Sequence, residues 1–400
     1  MESHQPPASE FRRMRVVQSV CGTFHHFDLA RELLSAGCLE RIYSTFNRGR
    51  LRREKVPDEF VSVFPWIHPA LMLLGKYRVP LPRSLNRELD FINKTLFDRW
   101  VSAHIPACDV FIGISSCGLR TGKAVQQRGG KYVCDRGSAH IRVQDRILRE
   151  EFARWGQDEV SCDPKIMELE EREYAQADAI TVPSEFARRS FIEMGISPQK
   201  VHKISYGVNL ERFQPVGTPS PETFEVLFVG GVTFRKGIPY LLEGFRRFRH
   251  PRKRLRIVGA AGDEMRAYLA KNLPEFTEVL GTVPQTQLKQ IMSNSHVLVL
   301  PSVEEGLALV QGQAMACGCA LISSTNTGGS DLFTNGVEGF EIPIRSPEAI
   351  TEKLELLAGS PELLAQMRQA ALVRVQSLGG WHDYGQRFVA FMQNLLASRN

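Results

Sequence analysis

The residues best suited to chemistry lie in loops of the second half of the chain, and the first of these loops is basic. Gly230 to Gly237 reads GGVTFRKG and follows an apolar run that ends at Val229. Two glycines let the backbone approach a ligand closely, and Arg235 and Lys236 add two positive charges. A helix beginning after this loop would add N–H groups and the positive end of its dipole. The combination is suited to binding a diphosphate, although a turn with two solvated charges would have the same composition.

A second loop is acidic. Pro301 to Gly318 reads PSVEEGLALVQGQAMACG, with Glu304 and Glu305 before a predicted helix that presents Gln313. A carboxylate at the open end of a parallel sheet is well placed to accept hydrogen bonds from sugar hydroxyls. Helix capping by Glu304 or Glu305 is the alternative interpretation.

A third loop, Thr325 to Asp331, contains Gly328, Gly329 and Ser330 and precedes another helix. It is a second candidate for anion binding. Loops that follow strands of one parallel sheet meet at the same edge of that sheet. The three loops therefore predict one ligand crevice.

The elements that must position these loops alternate between strand and helix in both halves of the chain, which is typical of parallel sheets covered by helices on both faces. Ser184, Ser346 and Ser360 are predicted helix N-caps. β-branched and apolar runs predict strands at Met14–Val20, Arg41–Ser44, Asp109–Ile114, Lys131–Cys134, Ala179–Val182, Val201–Ile204, Val226–Val229, Arg254–Val258, Glu278–Leu280, His296–Leu300 and Ala320–Ser323. Helical spacing predicts helices at Phe27–Ala36, Glu88–His104, Glu168–Gln176, Glu185–Met194, Ile238–Phe248, Gln285–Met292, Leu309–Ala316, Pro347–Ala358, Pro361–Ser377 and Trp381–Ala397.

A break in this pattern indicates the domain organisation. Gln214–Thr223 reads QPVGTPSPET, has no apolar periodicity and is rich in proline, which predicts a linker. A chain of 400 residues is long enough for two α/β cores. We therefore expect one Rossmann-like domain at residues 1–213, a linker at residues 214–224 and a second Rossmann-like domain at residues 225–380.

Composition limits the possible functions. The chain is 43% hydrophobic and 24% charged, with a net charge of +6. That charge is too mild and diffuse to indicate nucleic-acid binding. The eight cysteines show no CxxC spacing, so we interpret them as reduced thiols rather than metal ligands. Neither a signal peptide nor a membrane span is visible in the sequence, and we expect a cytoplasmic protein.

The motifs of the second half resemble those of family 4 of the retaining glycosyltransferases, which have the GT-B fold. Glu305 to Gly318 is similar to the acidic signature of that family, and Val229 to Gly237 is similar to its phosphate-binding loop. Residues 182–215, which begin VPSEF, are similar to its interdomain stretch. Segments around Gly259 and Val283 are similar to its nucleoside-side segments.

The likeness runs from about Arg15 to the C-terminus and is strong from Asp178 onward, whereas residues 46–107 carry no motif of the family. It implies an α/β, GT-B fold with two Rossmann-like domains whose parallel sheets face each other across a cleft. It also implies that the final helix, residues 381–400, returns to the first domain.

The resemblance implies a retaining, metal-independent hexosyltransferase that uses a UDP- or GDP-linked sugar and a glycan or lipid-linked acceptor, without any cofactor. Arg235 and Lys236 would neutralise the leaving diphosphate, and Glu305 would contact the donor sugar. His140, which follows a strand of the first domain, would lie near the reacting carbon, although a surface or core histidine is the alternative. The predicted donor-binding residues are Gly22, Gly230, Gly231, Gly259, Val283, Glu304, Gln313, Gly328, Gly329 and Ser330. No metal-binding residue is predicted, because no DxD-type acidic pair follows a strand.

Two positions depart from the family pattern. The second glutamate of the acidic motif is Gln313 here, and the residue after Gly230, often arginine in the family, is Gly231. These departures leave open a catalytically lapsed protein that binds nucleotide sugars or acts as a scaffold. A GT-B phosphorylase or a sugar-nucleotide epimerase is a further alternative.

A basic cluster near the N-terminus predicts contact with a membrane. Arg48, Arg50, Arg52, Arg53 and Lys55 precede an apolar, aromatic segment at residues 64–77. Such a combination suits peripheral binding to anionic lipid on the inner face of the cytoplasmic membrane. A core helix beside a solvated loop is the alternative interpretation.

Overall fold

The structure is a computed structural model that describes residues 14–64, 82–157 and 162–398. The strands of these residues are β1 Val16–Val20, β2 Leu39–Ser44, β3 Val61–Val63, β4 Val110–Ile114, β5 Lys131–Asp135, β6 Ala179–Val182, β7 Val201–Lys203, β8 Phe224–Val229, β9 Lys253–Val258, β10 Thr277–Gly281, β11 Val297–Leu300, β12 Ala320–Ser324 and β13 Gly339–Ile342.

Helices follow most of these strands, and two short 3-10 helices, at Arg52–Glu54 and Asp58–Phe60, precede β3. The α-helices of the described residues are α1 His26–Ser35, α2 Arg48–Leu51, α3 Arg83–His104, α4 Leu119–Gln127, α5 Ile141–Arg154, α6 Pro164–Gln176, α7 Glu185–Glu193, α8 Ile238–Arg247, α9 Asp263–Asn272, α10 Gln285–Ser293, α11 Leu309–Ala316, α12 Pro347–Gly359, α13 Pro361–Leu378 and α14 Trp381–Ala397.

The strands form two sheets with the same winding. The first sheet has seven strands in the order β3-β2-β1-β4-β5-β6-β7, and the second has six in the order β10-β9-β8-β11-β12-β13. In each sheet the chain first winds outward in one direction and then returns to continue in the other. The strand order of the second sheet reverses between β8 and β11. Ligands of open α/β sheets bind at such a point.

The centre of the second sheet is fully buried. Every residue of β8, β11 and β12 is buried. Helices cover such a sheet on both faces, which is why these strands read as continuous apolar runs and were recognisable in the sequence. The predicted α/β class with two parallel, Rossmann-like sheets is confirmed.

The described residues fall into two compact units. One unit comprises the chain up to Cys134 together with Arg172–Asp178 and Val389 onward, and the other comprises Asp135–Glu171 and Ala179–Phe388. We call them the first unit and the second unit. Residues 204–223, between β7 and β8, form neither helix nor strand. The predicted domain boundaries stay a prediction.

The predicted elements agree with the observed ones apart from a few differences. The sequence missed β3 and β13, which are short strands at the sheet edges, and it assigned no bounds to the helices α2, α4, α5 and α9. Ser184 and Ser346 are N-caps as predicted, since their side chains accept hydrogen bonds from the N–H groups of Ala187 and Ala349. Ser360 occupies the N-cap position of α13 before Pro361, as predicted, but its side chain makes no capping bond where α12 passes directly into α13.

Within the described residues, no helix has the length and apolar character needed to span a membrane. Residues 65–77, which are most of the apolar segment predicted to contact lipid, lie outside the described residues.

Candidate active site

The candidate site is built where the strand order of the second sheet reverses. β8 and β11 are parallel neighbours, with Val226 beside Val297 and Leu227 beside Leu298. The basic loop, residues 230–237, leaves β8, and the acidic loop, residues 301–308, leaves β11. The two loops therefore leave the same sheet edge side by side.

Close packing of the backbone holds the basic loop against the acidic loop. Gly237 has a left-handed conformation with φ of 70°. A Cβ atom at this position would overlap the carbonyl oxygen of Pro301, so only glycine fits. Helix α8 begins at the next residue, as predicted. Pro239 carries no N–H, however, so the first turn of α8 offers one fewer donor to an anion than the sequence analysis expects.

Ion pairs join the two loops. Lys236 Nζ contacts Glu305 Oε1. Arg235 Nη2 lies 3.1 Å from Glu304 Oε2 and 3.7 Å from Glu305 Oε2. Two cations are thus neutralised by two carboxylates of the same chain. An anionic ligand would compete with these carboxylates for Arg235 and Lys236.

Glu304 is a structural carboxylate in this arrangement, because its side chain has no exposed surface. The Ser138 hydroxyl donates to Oε1, and the Gln144 amide donates to Oε2 at 2.9 Å. Burial by itself would raise the pKa of Glu304, but Arg235 and the two hydrogen bonds outweigh burial and leave the pKa below its usual value. Its predicted contact with the donor finds no support in these bonds and stays a prediction.

Glu305 is the glutamate with access to a ligand. Its side chain is 10% exposed, and that of Lys236 is 21% exposed. The Glu305 N–H donates to the carbonyl of Asn326 at 3.0 Å, which fixes the backbone below the carboxylate. This fits the role that the sequence analysis assigns to Glu305 rather than to its neighbour.

The glycine loop, residues 325–331, is bonded to the acidic loop and to α11. The Asn326 side chain donates to the carbonyl of Val303 at 2.9 Å. The buried Gln311 donates through Nε2 to the carbonyl of Thr327 at 3.0 Å. The three loops predicted to converge therefore form one connected group. Gln311 is a supporting residue that sequence reasoning missed.

The two positions that depart from the family pattern are accessible. Gln313 is half-buried, about one turn into α11. Gly231 is exposed, and a Cβ atom there would meet nothing within 4 Å. Gly231 is not among the glycines with positive φ, so neither space nor backbone conformation requires glycine at this position.

His140 caps α5 and is buried. Its Nδ1 accepts a hydrogen bond from the N–H of Arg142 at 3.2 Å, and its ring packs edge-on against Phe191 with centroids 5.0 Å apart. Burial lowers the pKa of His140 to about 4, so the imidazole is neutral at pH 7. The ring is held by the helix it caps, and its predicted place near the reacting carbon stays a prediction.

The other predicted donor-binding residues occupy different places. Gly259 follows β9, and a Cβ atom there would overlap the carbonyl oxygen of Gly230, so the loops after β8 and β9 touch. Val283 is half-buried in the loop after β10. Gly22 belongs to the first unit, where its N–H donates to Thr45 Oγ1 at 3.0 Å. The donor contacts of these residues stay predictions. In the glycine loop, Gly328 and Gly329 are buried and Ser330 is exposed.

Sequence reasoning also missed an aromatic cluster that supports the basic loop. Trp155 stacks on Phe234, with ring centroids 5.4 Å apart and planes 18° apart. Tyr240 and Tyr268 pack edge-on against Trp155. Because Phe234 immediately precedes Arg235, the cluster fixes the start of the cationic segment. These aromatic residues come from four separate elements, so no spacing in the sequence marks them.

A buried ion pair lies beside the aromatic cluster. Glu151 has no exposed surface, and its carboxylate accepts hydrogen bonds from Trp155 Nε1 at 2.8 Å and from Tyr240 Oη at 2.9 Å. Arg345 Nε donates to the same carboxylate at 2.7 Å. These bonds connect α5 and the residue after it to α8 and to the turn that follows β13.

Known proteins resemble this chain most clearly in its second half. Residues 211–374 match the family described as glycosyl transferases group 1. Alpha-maltose-1-phosphate synthase of Mycobacterium tuberculosis (strain H37Rv) is 29% identical over 192 residues, which are 43% of this chain and 50% of that protein. The putative colanic acid biosynthesis glycosyltransferase WcaL of Escherichia coli K12 is 24% identical over 210 residues, 49% of this chain and 50% of that protein. The chain thus spans about half the length of these curated relatives.

Solved structures resemble the whole chain. Sucrose-phosphate synthase from Thermosynechococcus elongatus superposes with a TM-score of 0.72 at 19% identity, over 96% of this chain and 100% of that one. Anabaena HepE in complex with UDP and glucose superposes with a TM-score of 0.67 at 14% identity, over 96% of this chain and 100% of that one. At these identities the likeness shows the fold, and the predicted GT-B fold is confirmed.

Proposed function

We propose that this protein transfers a sugar from a nucleoside-diphosphate sugar to an acceptor hydroxyl, because residues 211–374 match the family described as glycosyl transferases group 1. The observation that carries the proposal is the contact of Lys236 with Glu305, beside Arg235, at the ends of β8 and β11. It brings two cations and one accessible carboxylate together next to the glycines of the basic loop. A diphosphate would replace Glu305 as the partner of Lys236, and the released carboxylate would accept hydrogen bonds from the sugar hydroxyls.

We propose that transfer proceeds with retention, with the leaving and attacking groups on one face of the sugar. The bond between the sugar C1 and the phosphate oxygen breaks, a bond between C1 and the acceptor oxygen forms, and the acceptor proton moves to the departing phosphate oxygen. Arg235 and Lys236 stabilise the charge that develops on the diphosphate. In this proposal the protein supplies orientation and fixed charges, and no side chain forms a covalent intermediate.

The same two cations support a reaction that needs no metal ion. A divalent cation in a glycosyltransferase neutralises the leaving diphosphate, and a guanidinium and an ammonium can do the same. We propose on this ground that the donor is a UDP- or GDP-linked hexose bound without metal. HepE, whose fold this chain shares, was solved with UDP and glucose.

The acceptor proposal rests on the relatives and on the basic cluster. WcaL is described as a putative colanic acid biosynthesis glycosyltransferase, so we propose a glycan or lipid-linked acceptor of cell-surface polysaccharide synthesis. The cations of the cluster (Arg48, Arg50, Arg52, Arg53 and Lys55) are all exposed. Arg48 and Arg52 lie 3.9 and 3.6 Å from the carboxylate of Asp58. Together with Glu54 and Asp58, the five cations leave a net positive surface, which would bind anionic lipid at the membrane face.

Release of free nucleoside diphosphate from a panel of UDP- and GDP-sugars, with and without an acceptor extract, tests the transferase. Turnover by the wild-type protein that falls in the Lys236→Ala variant would support it. Binding of a donor to the wild-type protein without release of diphosphate under any acceptor condition would contradict it. Co-sedimentation with anionic but not neutral vesicles, lost at high salt, tests the membrane contact separately.

A second candidate function is a lapsed enzyme that only binds nucleotide sugars, and Gln313 and Gly231 favour it. An amide at residue 313 can accept one hydrogen bond and donate another, whereas a glutamate accepts more strongly. If the protein is active, Gln313→Ala should raise the donor KM up to about tenfold, for one lost hydrogen bond of ~1 kcal/mol. If only Gln313→Glu shows turnover, the chain is a lapsed enzyme and the transferase proposal fails.

A further inference from the structure

Two cysteines of the first unit lie in contact at the carboxyl ends of neighbouring strands. β1 and β4 pair in parallel, with Ser19 beside Gly113. Cys21 directly follows β1, and Cys117 lies in the turn that follows β4. Because parallel neighbours end at the same sheet edge, the two loops bring these side chains together, and their Sγ atoms lie 2.7 Å apart.

The loop that carries Cys117 is rigidly held. The N–H groups of Ser116 and Gly118, on either side of Cys117, donate to the carboxylate of Glu173 at 2.5 and 2.6 Å. Glu173 itself is fully buried. Ser116 has a φ of 72°, which a non-glycine residue adopts only where its surroundings enforce it. Cys117 therefore cannot move away from Cys21 unless the two hydrogen bonds to Glu173 break.

The two thiols differ in access to solvent. Cys117 is 1% exposed, whereas Cys21 is partly exposed at the start of the loop before α1. The Lys94 ammonium, which pairs with Asp90 at 2.7 Å, lies near both sulfurs. Burial raises the pKa of Cys117, and the charge on Lys94 opposes that rise. The partly exposed Cys21 is therefore the sulfur that a peroxide in solution reaches first.

We propose that Cys21 and Cys117 are a modification site, a thiol pair that a hydroperoxide oxidises to a disulfide. Cys21 Sγ attacks one peroxide oxygen, the O–O bond breaks, and Cys21 becomes a sulfenic acid as the first water leaves. Cys117 Sγ then attacks the sulfur of Cys21, the S–O bond breaks, and the hydroxyl takes the Cys117 proton and leaves as a second water. Two thiols and one hydrogen peroxide thus give one disulfide and two waters. The sulfurs must approach by less than about 1 Å to reach bonding distance.

The disulfide would act on the loop before α1. It would join residues 96 positions apart in the chain. It would fix Cys21, the residue before Gly22, to the turn that Glu173 holds. A crosslink over so long a loop restricts the unfolded chain and raises the thermal midpoint. The site stands independently of the proposed transferase function, because it requires neither a donor nor the residues of the second unit.

Peptide mapping after oxidation tests the site. The reduced full-length protein is treated with hydrogen peroxide, its remaining thiols are alkylated, and the protein is digested with trypsin without reduction. We expect one crosslink between the peptide 16–31 and the peptide 100–120, lost after dithiothreitol treatment. Because Cys108 and Cys117 share the second peptide, Cys108→Ser is the matched control and should keep the crosslink.

Cys21→Ser and Cys117→Ser should each lose this crosslink, and Cys21→Ser covers the case in which the buried variant fails to fold. The oxidised wild-type protein should melt several degrees above its reduced form, and oxidised Cys21→Ser should not. The proposal is overturned if both thiols of the oxidised wild-type protein are recovered alkylated or as separate sulfinic acids. It is equally overturned if Cys21 crosslinks as readily to Cys38 or Cys108.

Discussion

Replacing Glu304 by glutamine should destabilise the second unit, whereas the same change at Glu305 should mainly reduce turnover. Glu304 has no exposed surface and accepts hydrogen bonds from Ser138 and Gln144 besides pairing with Arg235. A glutamine of the same shape keeps one oxygen to accept a bond and turns its N–H₂ group either toward Gln144 and Arg235 or toward Ser138 and the N–H of Ala139. A donor then faces a donor, and the charge-assisted bonds are lost.

The cost can be worked out from these contacts. A hydrogen bond to a charged group contributes about 1.5–3 kcal/mol, and breaking a fully buried ion pair costs about 3–5 kcal/mol. Arg235 is 35% exposed, so water recovers part of its loss, and we expect about 3 kcal/mol for Glu304→Gln. For a unit of this size that lowers the melting temperature by roughly 6–12 °C. Glu305→Gln should change stability by about 1 kcal/mol or less, since Lys236 can turn to water.

Differential scanning fluorimetry of both variants at pH 7 measures the difference. The pKa of Glu304 lies below its usual value in the folded protein, so its contribution is present above the unfolded pKa of about 4.3 and is lost as the pH falls below it. The gap between wild type and Glu304→Gln should therefore close toward low pH. The double variant Glu304→Gln with Gln144→Glu should recover part of the loss, because Arg136 already donates to residue 144 at 2.7 Å. A Glu304→Gln protein that melts within about 2 °C of wild type would refute the reasoning.

Four further outcomes are expected. Lys236→Ala should lower kcat by about 10²-fold or more with the melting temperature unchanged, since a fixed cation facing the leaving group is lost, and wild-type turnover would end the assignment. Gly231→Arg should fold normally, because a side chain at this position meets no neighbouring atom. It should lower the donor KM measured by steady-state kinetics. A raised KM would show that the position does not face the diphosphate. Turnover should persist in excess EDTA. A loss of turnover that Mg²⁺ or Mn²⁺ restores would contradict metal independence. In that case the adjacent buried residues His25 and His26 would be the first to substitute. Because burial lowers the pKa of His140 from 6.5 to about 4, the stability that the neutral ring contributes above pH 6.5 should fall as the pH falls toward 4. His140→Asn, which can still cap α5, should make the melting temperature less dependent on pH over this range. An unchanged pH dependence would contradict the burial argument.

Much of the fold could be predicted because the informative signals are local. The buried strands β8, β11 and β12 are continuous apolar runs, and Ser184 and Ser346 announce their helices through the side chain that caps them. The missed strands β3 and β13 lie at sheet edges, where few residues are needed and the apolar signal is short. Ser360 has the sequence of an N-cap, but it is also the residue at which α12 ends, and its side chain makes no capping bond. No local sequence pattern indicates this.

The sequence by itself determined which loops are the candidates for the chemistry. Glycine, lysine, arginine and glutamate at the ends of apolar runs are fixed by chain order, and parallel winding brings such ends together whatever the details of packing. Only the tertiary structure decided which of the adjacent glutamates is accessible. Glu304 is enclosed by Ser138 and Gln144, which lie more than 150 positions earlier, while the Glu305 side chain keeps 10% of its surface exposed beside Lys236. The stack of Trp155 on Phe234 and the contact of Cys21 with Cys117 belong to the same class. Contacts between residues far apart in sequence depend on the packing of whole elements, and no local residue spacing records them.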